Sequence, residues 1–238
     1  MSLKNQTVVV LGGSTGIGFA TAKAACAEGA RVVITGRARE KLERAAKALG
    51  NSARAVALDV ADEAGTRALF DGMDRVDHIF VVGADVTVGA TIRGDTAALR
   101  PAMDTRFWGS VYAAKYGAPK MKDGASITFT SGTSALRPLP GGSVASASCG
   151  AVEALARSLA VDLAPIRVNV IAPGLIDTPL VAQVMGERTG AVMKDAASRL
   201  PVRRVGRPED IADAALFLMK NGYVTGITLT VDGGRLLI

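Results

Sequence analysis

The 238-residue sequence alternates short, unbroken apolar runs with longer stretches in which apolar and polar positions mix. Thr7–Leu11 is a continuous β-branched and aliphatic run, the pattern of a strand buried on both faces. Arg31–Thr35, Ala53–Leu58, His78–Val82, Ser126–Thr130, Arg167–Ile171 and Ile227–Val231 repeat that pattern and are predicted as strands. Between them Ala20–Glu28, Arg39–Leu49, Glu63–Met73, Pro101–Lys120, Ser146–Leu163 and Pro208–Met219 are predicted as helices. Gly29 and Gly50 close two of these, and Pro208 followed by two acids opens the last. The alternation predicts an α/β fold: a Rossmann-type doubly wound parallel sheet of about seven strands, with helices on both faces in three αβα layers. Without internal repeat, linker or low-complexity tract, residues 1–238 are expected to form a single domain.

Composition narrows the class. Aromatic residues are only 4% of the chain, which suits buried parallel strands under closely packed helices. The formal charge of +6 comes from 28 basic against 22 acidic side chains, scattered without a basic run. That reads as a solvated surface with a few anion-binding arginines rather than a nucleic-acid face. Cys26 and Cys149 have no metal-ligand spacing, so a reduced, cytoplasmic protein is expected. His78 is the only histidine, which argues against a His-based triad or a multi-histidine metal centre; no metal is expected. The N-terminus lacks the shape of a signal peptide, and no stretch is read as a membrane span.

The chemistry starts where the first strand ends. Gly12-Gly13-Ser14-Thr15-Gly16-Ile17-Gly18 lies between a strand and a helix. Gly12 permits the tight turn, Gly16 lets backbone approach a pyrophosphate, and Gly18 lets the helix pack on the strand. In that context the loop predicts dinucleotide binding. An NAD site usually carries an acid at the end of the second strand, whereas Thr35-Gly36-Arg37 has none before Glu40. Arg37 can pair with a 2′-phosphate, so NADP(H) is expected in preference to NAD(H); a solvated arginine is the alternative. Arg39 is a second, weaker candidate.

These features together resemble the short-chain dehydrogenase/reductase family over nearly the whole chain. Leu11–Gly18 corresponds to its TGxxxGxG loop, with Leu11 in place of threonine. Asp59-Val60 looks like the pair beside adenine, and Pro173-Gly174 with Ile176 and Thr178 like the PGxxxT segment at the nicotinamide. Gly83-Ala84 is what remains of the family's NNAG signature. The resemblance implies that Gly12, Ser14, Thr15, Gly16, Ile17, Gly18, Arg37, Asp59, Val60, Gly83, Ala84, Pro173, Gly174, Ile176 and Thr178 bind cofactor. It also implies a homo-oligomer, dimer or tetramer, a small-molecule substrate, and a substrate-side lid over 179–206.

The family's Asn-Ser-Tyr-Lys tetrad is only partly present. Ser131 matches the serine. Aligning the downstream Gly150-Ala151-Val152-Glu153-Ala154-Leu155 puts Ala145 at the tyrosine position and Cys149 at the lysine position. Arg106, in Arg106-Phe107-Trp108-Gly109, stands where asparagine is usual. Proton transfer needs a group of tuned pKa within hydrogen-bond reach, so the standard tyrosine relay is not expected. Arg106 could replace the lost positive charge and bind an anion, provided that it points into the pocket. Cys149 reads better as a small buried helix residue than as a nucleophile. Tyr112 and Tyr116 read as core or interface, His78 as structural, and Asp85 as an unassigned acid near the pocket. Three functions compete: an NADP-dependent oxidoreductase acting on a carbonyl or alcohol by a non-standard mechanism, an inactive NADP(H) or metabolite sensor, and a structural subunit of a mixed oligomer.

Overall fold

A computed structural model describes residues 2–83, 92–138 and 140–238. Its strands are β1 (Thr7–Leu11), β2 (Arg31–Gly36), β3 (Ala53–Ala57), β4 (His78–Val81), β5 (Ser126–Thr130), β6 (Arg167–Pro173) and β7 (Thr228–Val231). They form one seven-stranded sheet in the order β3-β2-β1-β4-β5-β6-β7, and every pairing is parallel. The predicted fold class holds.

Alternation along the strands builds two cores. Val8, Val10 and Ile34 face Ala22 and Ala25 of helix α1 (Gly16–Ala27), Leu42 of α2 (Arg39–Leu49), and a C-terminal helix, Pro208–Lys220, through Ile211 and Leu218. Val9, Leu11, Ile79 and Ile127 point the other way. They meet Leu69 and Phe70 of α3 (Glu63–Asp71), with further helices supplying Ala113, Val152 and Ala156. Successive side chains of a strand leave opposite faces, so one apolar run supplies both cores. The reversal of strand order between β1 and β4 opens a crevice at the carboxyl ends of these strands, the usual ligand position in such sheets.

The helix predicted over 101–120 is different in the structure. It is divided into α4 (Thr96–Met103), a π-helical turn over Asp104–Trp108, and α5 (Gly109–Gly117). Asp95 starts α4 by accepting a bond from the Ala97 amide at 2.9 Å. Pro101 lies inside α4 rather than opening it. Its ring nitrogen has no proton for the preceding turn, and Thr105 Oγ1 donates to the Pro101 carbonyl at 2.7 Å. Arg106 lies in the π turn that follows.

Helix α6 runs over Ser143–Asp162, starting three residues earlier than the sequence suggests. At 20 residues and a mean hydropathy of 1.3 over its most apolar stretch, it is long and apolar enough to cross a membrane, contrary to the expectation that no stretch is. Its inner face, Cys149, Val152 and Ala156, is instead buried against the sheet. The proposed lid segment contains α7 (Pro179–Met185) and α8 (Thr189–Arg199); the C-terminal helix is α9 (Pro208–Lys220).

Polar residues at the amino ends of the central strands are structural. His78 is buried, with Nδ1 2.8 Å from Ser126 Oγ and Nε2 2.9 Å from Gln6 Oε1. Burial, reinforced by the Arg167 charge and opposed by Asp77, brings its pKa down to about 4. Arg167 donates to the carbonyls of Leu218 and Met219 at 2.6 and 2.8 Å, capping the last turn of α9. Asn169 Nδ2 donates to the Val224 carbonyl at 2.9 Å, and its Oδ1 accepts from the Ile227 amide at 3.2 Å.

Candidate cofactor and active site

The phosphate loop is pinned to β2. The Gly13 amide donates to the Thr35 carbonyl at 2.9 Å, and the Gly12 amide to Thr35 Oγ1 at 3.3 Å. Gly12 has φ of +94°, and a Cβ there would stand 2.8 Å from the Val82 carbonyl oxygen. Only glycine fits both the conformation and the space. A Cβ on Gly18 would overlap the Gly12 carbonyl, so that glycine lets α1 close onto the loop.

Thr15 is the N-cap of α1, yet its side chain makes no cap bond, and the first turn carries no acid. The amide groups and dipole at this helix end therefore face the crevice without an internal anion, which fits a pyrophosphate. The crevice, about 170 Å³, is lined by Gly12, Ser14, Thr15, Gly36, Arg37, Leu58, Asp59, Val60 and Gly83, among others. Arg37 also borders a larger groove of about 690 Å³ between β3 and α3, alongside Arg54, Val56 and Leu69. The smaller cleft is the one at the helix end and the strand-order reversal. Asp59 Oδ1 accepts the Ala61 amide at 3.0 Å. Arg39 pairs with Glu43 at 2.9 Å and is engaged along its own helix.

Thr178 reaches the same loop from β6: its Cγ2 lies 3.3 Å from where a Gly16 Cβ would be. Its Oγ1 also caps α7, accepting from the Val181 amide at 3.4 Å. Gly174 passes close to Asp232, whose Cα would be 2.7 Å from a Cβ there. Ile176 differs from the other expected contacts, because its side chain is 4% exposed and belongs to the core. Ala84 and Asp85 lie outside the described residues.

The four expected active-site positions converge on α6. Ala145 and Cys149 stand one turn apart, with Glu153 the next on the same face. Cys149 is 1% exposed, and its Sγ lies 3.5 Å from Ser134 Oγ. Ser131, at the carboxyl end of β5, is held by its amide to the Ile171 carbonyl at 2.8 Å. Its hydroxyl donates to Glu153 Oε1 at 2.8 Å. Sequence reasoning used Glu153 only to set the register and did not see it as a partner.

Arg106 turns toward α6. Nη1 donates to Ser148 Oγ at 2.7 Å and reaches the Ala145 carbonyl at 3.4 Å. The residue is 8% exposed, and Nε is buried without a hydrogen-bond partner. No carboxylate pairs with it among the described residues. A buried cation without an acid is costly, and here only neutral groups solvate it.

Tyr112 and Tyr116 do not join the site. Tyr112 stacks on Trp108 with ring centroids 6.0 Å apart, and Tyr116 donates to Glu63 Oε1 at 2.7 Å. Among the described residues no group of three or more His, Cys, Asp or Glu is placed to hold a metal ion.

Comparison with known proteins agrees with this architecture. A family profile described as enoyl-(acyl carrier protein) reductase matches residues 12–235. The short-chain dehydrogenase/reductase malC of Malbranchea aurantiaca is 33% identical over 255 residues, covering 99% of this chain and 96% of that protein. The NADP-dependent (R)-specific alcohol dehydrogenase of Lentilactobacillus kefiri is 34% identical over 247 residues, covering 98% and 97%. The solved MalC reductase/Diels-Alderase superposes with a TM-score of 0.92 at 31% identity, covering 99% of this chain and 98% of that one. A small-chain dehydrogenase solved in complex with NADPH gives 0.84 at 34%, covering 99% and 100%. The chain belongs to the short-chain dehydrogenase/reductase family of oxidoreductases.

Proposed function

We propose that this protein is an NADP(H)-dependent oxidoreductase that interconverts a carbonyl and an alcohol on a small molecule without the family's tyrosine relay. The observation that carries the cofactor assignment is Arg37, which lines the crevice at the phosphate loop while no acid ends β2. A planar guanidinium matches the oxygens of a 2′-phosphate, whereas an NAD site would offer a carboxylate to ribose hydroxyls. A relative that is NADP-dependent and a neighbour bound to NADPH support the same choice.

Bound NADPH would supply the hydride. The chain supplies everything else. The α1 amino end and the glycine loop would hold the pyrophosphate, and Arg37 the 2′-phosphate. Asp59 and Val60 would meet the adenine end, with Gly83 leaving room at the end of β4. Thr178 and the Pro173–Gly174 turn would receive the nicotinamide end. Ala145 and Cys149 take the places of tyrosine and lysine on α6, and Arg106 takes that of asparagine. Arg106 then brings a permanent positive charge to the α6 face, where it is engaged by Ser148 and the Ala145 carbonyl rather than lining the crevice. It cannot supply the proton, because a guanidinium stays protonated.

Residues 1–238 act as one domain, with 179–206 as a lid whose α7 and α8 cover the substrate. A homo-oligomer, dimer or tetramer, follows from the family resemblance. Fluorescence titration tests the cofactor assignment: Arg37→Ala should weaken NADPH about 10- to 100-fold, the worth of one or two charge-assisted bonds, and leave NADH unchanged. Equal loss for both nucleotides would remove the 2′-phosphate role.

A further inference from the structure

We propose that Glu153 and Ser131 form a two-residue proton relay that serves an alcohol hydroxyl, occupying the role left open at positions 145 and 149. The proposal rests on the oxidoreductase reading above. It comes from one contact and its direction. Ser131 has a single hydroxyl proton, and that proton is committed to Glu153 Oε1 at 2.8 Å. What remains on Ser131 Oγ is acceptor capacity. A serine in that state receives a hydrogen bond from an alcohol; it has no proton to offer a carbonyl oxygen.

Placement supports the relay. Glu153 follows Ala145 and Cys149 at helical spacing, so its carboxylate rises from the same face of α6. Ala145 carries only a methyl group, and Cys149 is packed against Ser134, so neither position supplies a proton-bearing side chain of the family's kind. Ser131 is buried, and its amide is fixed to β6, so its hydroxyl stays in place. Glu153 is half-buried, so its carboxyl can exchange protons with solvent.

The step balances. In oxidation the alcohol O–H bond breaks and its proton passes to Ser131 Oγ, as the serine's own proton passes to the Glu153 carboxylate. The hydride leaves the carbinol carbon for the oxidised nicotinamide dinucleotide, so a carbonyl forms and the dinucleotide is reduced. Glu153 then releases its proton to water. Reduction runs the same path backwards from protonated Glu153. Ser131 touches substrate; Glu153 is a positioning and proton-holding residue that acts through it.

The experiment uses the full chain with 1-phenylethanol and acetophenone, and cyclohexanol and cyclohexanone, as probes. Nicotinamide absorbance reports turnover, NADPH titration reports cofactor binding, and ligand-observed NMR reports probe binding. Wild type should bind each alcohol more tightly than its ketone, and Glu153→Ala should reverse or abolish that preference by freeing the Ser131 proton. Glu153→Gln, nearly isosteric, should lower kcat at least 100-fold with NADPH affinity unchanged, the scale of lost general acid–base catalysis. Added formate should restore part of the rate to Glu153→Ala, which a purely structural role would not allow. The relay is overturned if Glu153→Gln keeps the wild-type rate, if formate restores nothing, or if wild type shows no alcohol preference. It is also overturned if wild type with NADPH bound turns over no probe. Failure of wild type to bind NADPH would instead remove the oxidoreductase reading, and the relay with it.

Discussion

At the scale of single residues, most of the polar side chains that look reactive are engaged in holding the fold. His78 illustrates this. Its ring bridges Gln6 and Ser126, and its pKa lies at about 4, against 6.5 for an ordinary histidine. The unfolded chain therefore takes up this proton near pH 6.5 and the folded one only near pH 4. The contribution is complete above about pH 6.5 and is lost as pH falls toward 4, by about 3 kcal/mol at most. Urea midpoints of wild type should thus fall more steeply than those of His78→Gln between pH 7 and 4; parallel curves would show that His78 is not the titrating group. The phosphate-loop turn was legible because its signals are local. Gly12 and Gly18 act within a single strand–turn–helix unit, where spacing fixes neighbours, and Arg37 follows at the end of the next strand, β2. Glu153 was not legible, since its partner Ser131 lies 22 residues away and meets it only when α6 packs beside β5.

At the scale of elements, strand runs were readable from apolar continuity, and helix edges were not. The apolar pattern predicts a helix over 101–120, whereas α4 already starts at Thr96. Asp95 is the cap, Pro101 sits inside α4, and a π turn follows from Asp104. Arg106 lies in that turn, so a misread helix start would misplace a site residue. The β6–α9 junction gives a test of element packing. Arg167 holds the carbonyls of Leu218 and Met219, and neither partner is a carboxylate. Arg167→Met should cost about 2 to 3 kcal/mol, the worth of bonds from a charged donor, and lower Tm by roughly 5 to 10 °C. An unchanged Tm in calorimetry would mean that water replaces the guanidinium at no cost.

At the scale of the molecule, an all-parallel seven-stranded sheet places its only strand-order reversal between β1 and β4. Phosphate loop, Arg37 and Gly83 meet there, while Ser131, Arg106 and α6 gather further along the sheet, beyond the end of β5. The proposed cofactor site and the proposed chemical site are thus neighbours built by different parts of the chain, and one could diverge while the other kept its form. Light scattering should give a dimer or tetramer, as the family resemblance implies; a monomer at micromolar concentration would remove the expected assembly.

On the proposed reading, the chain binds NADP(H) through Arg37 and the α1 end. Calorimetric titration of the wild-type protein with NADPH and with NADH tests it most directly. NADPH should bind at least tenfold more tightly than NADH, a difference of about 1.4 kcal/mol. Equal affinities, a preference for NADH, or no heat with either nucleotide would contradict it.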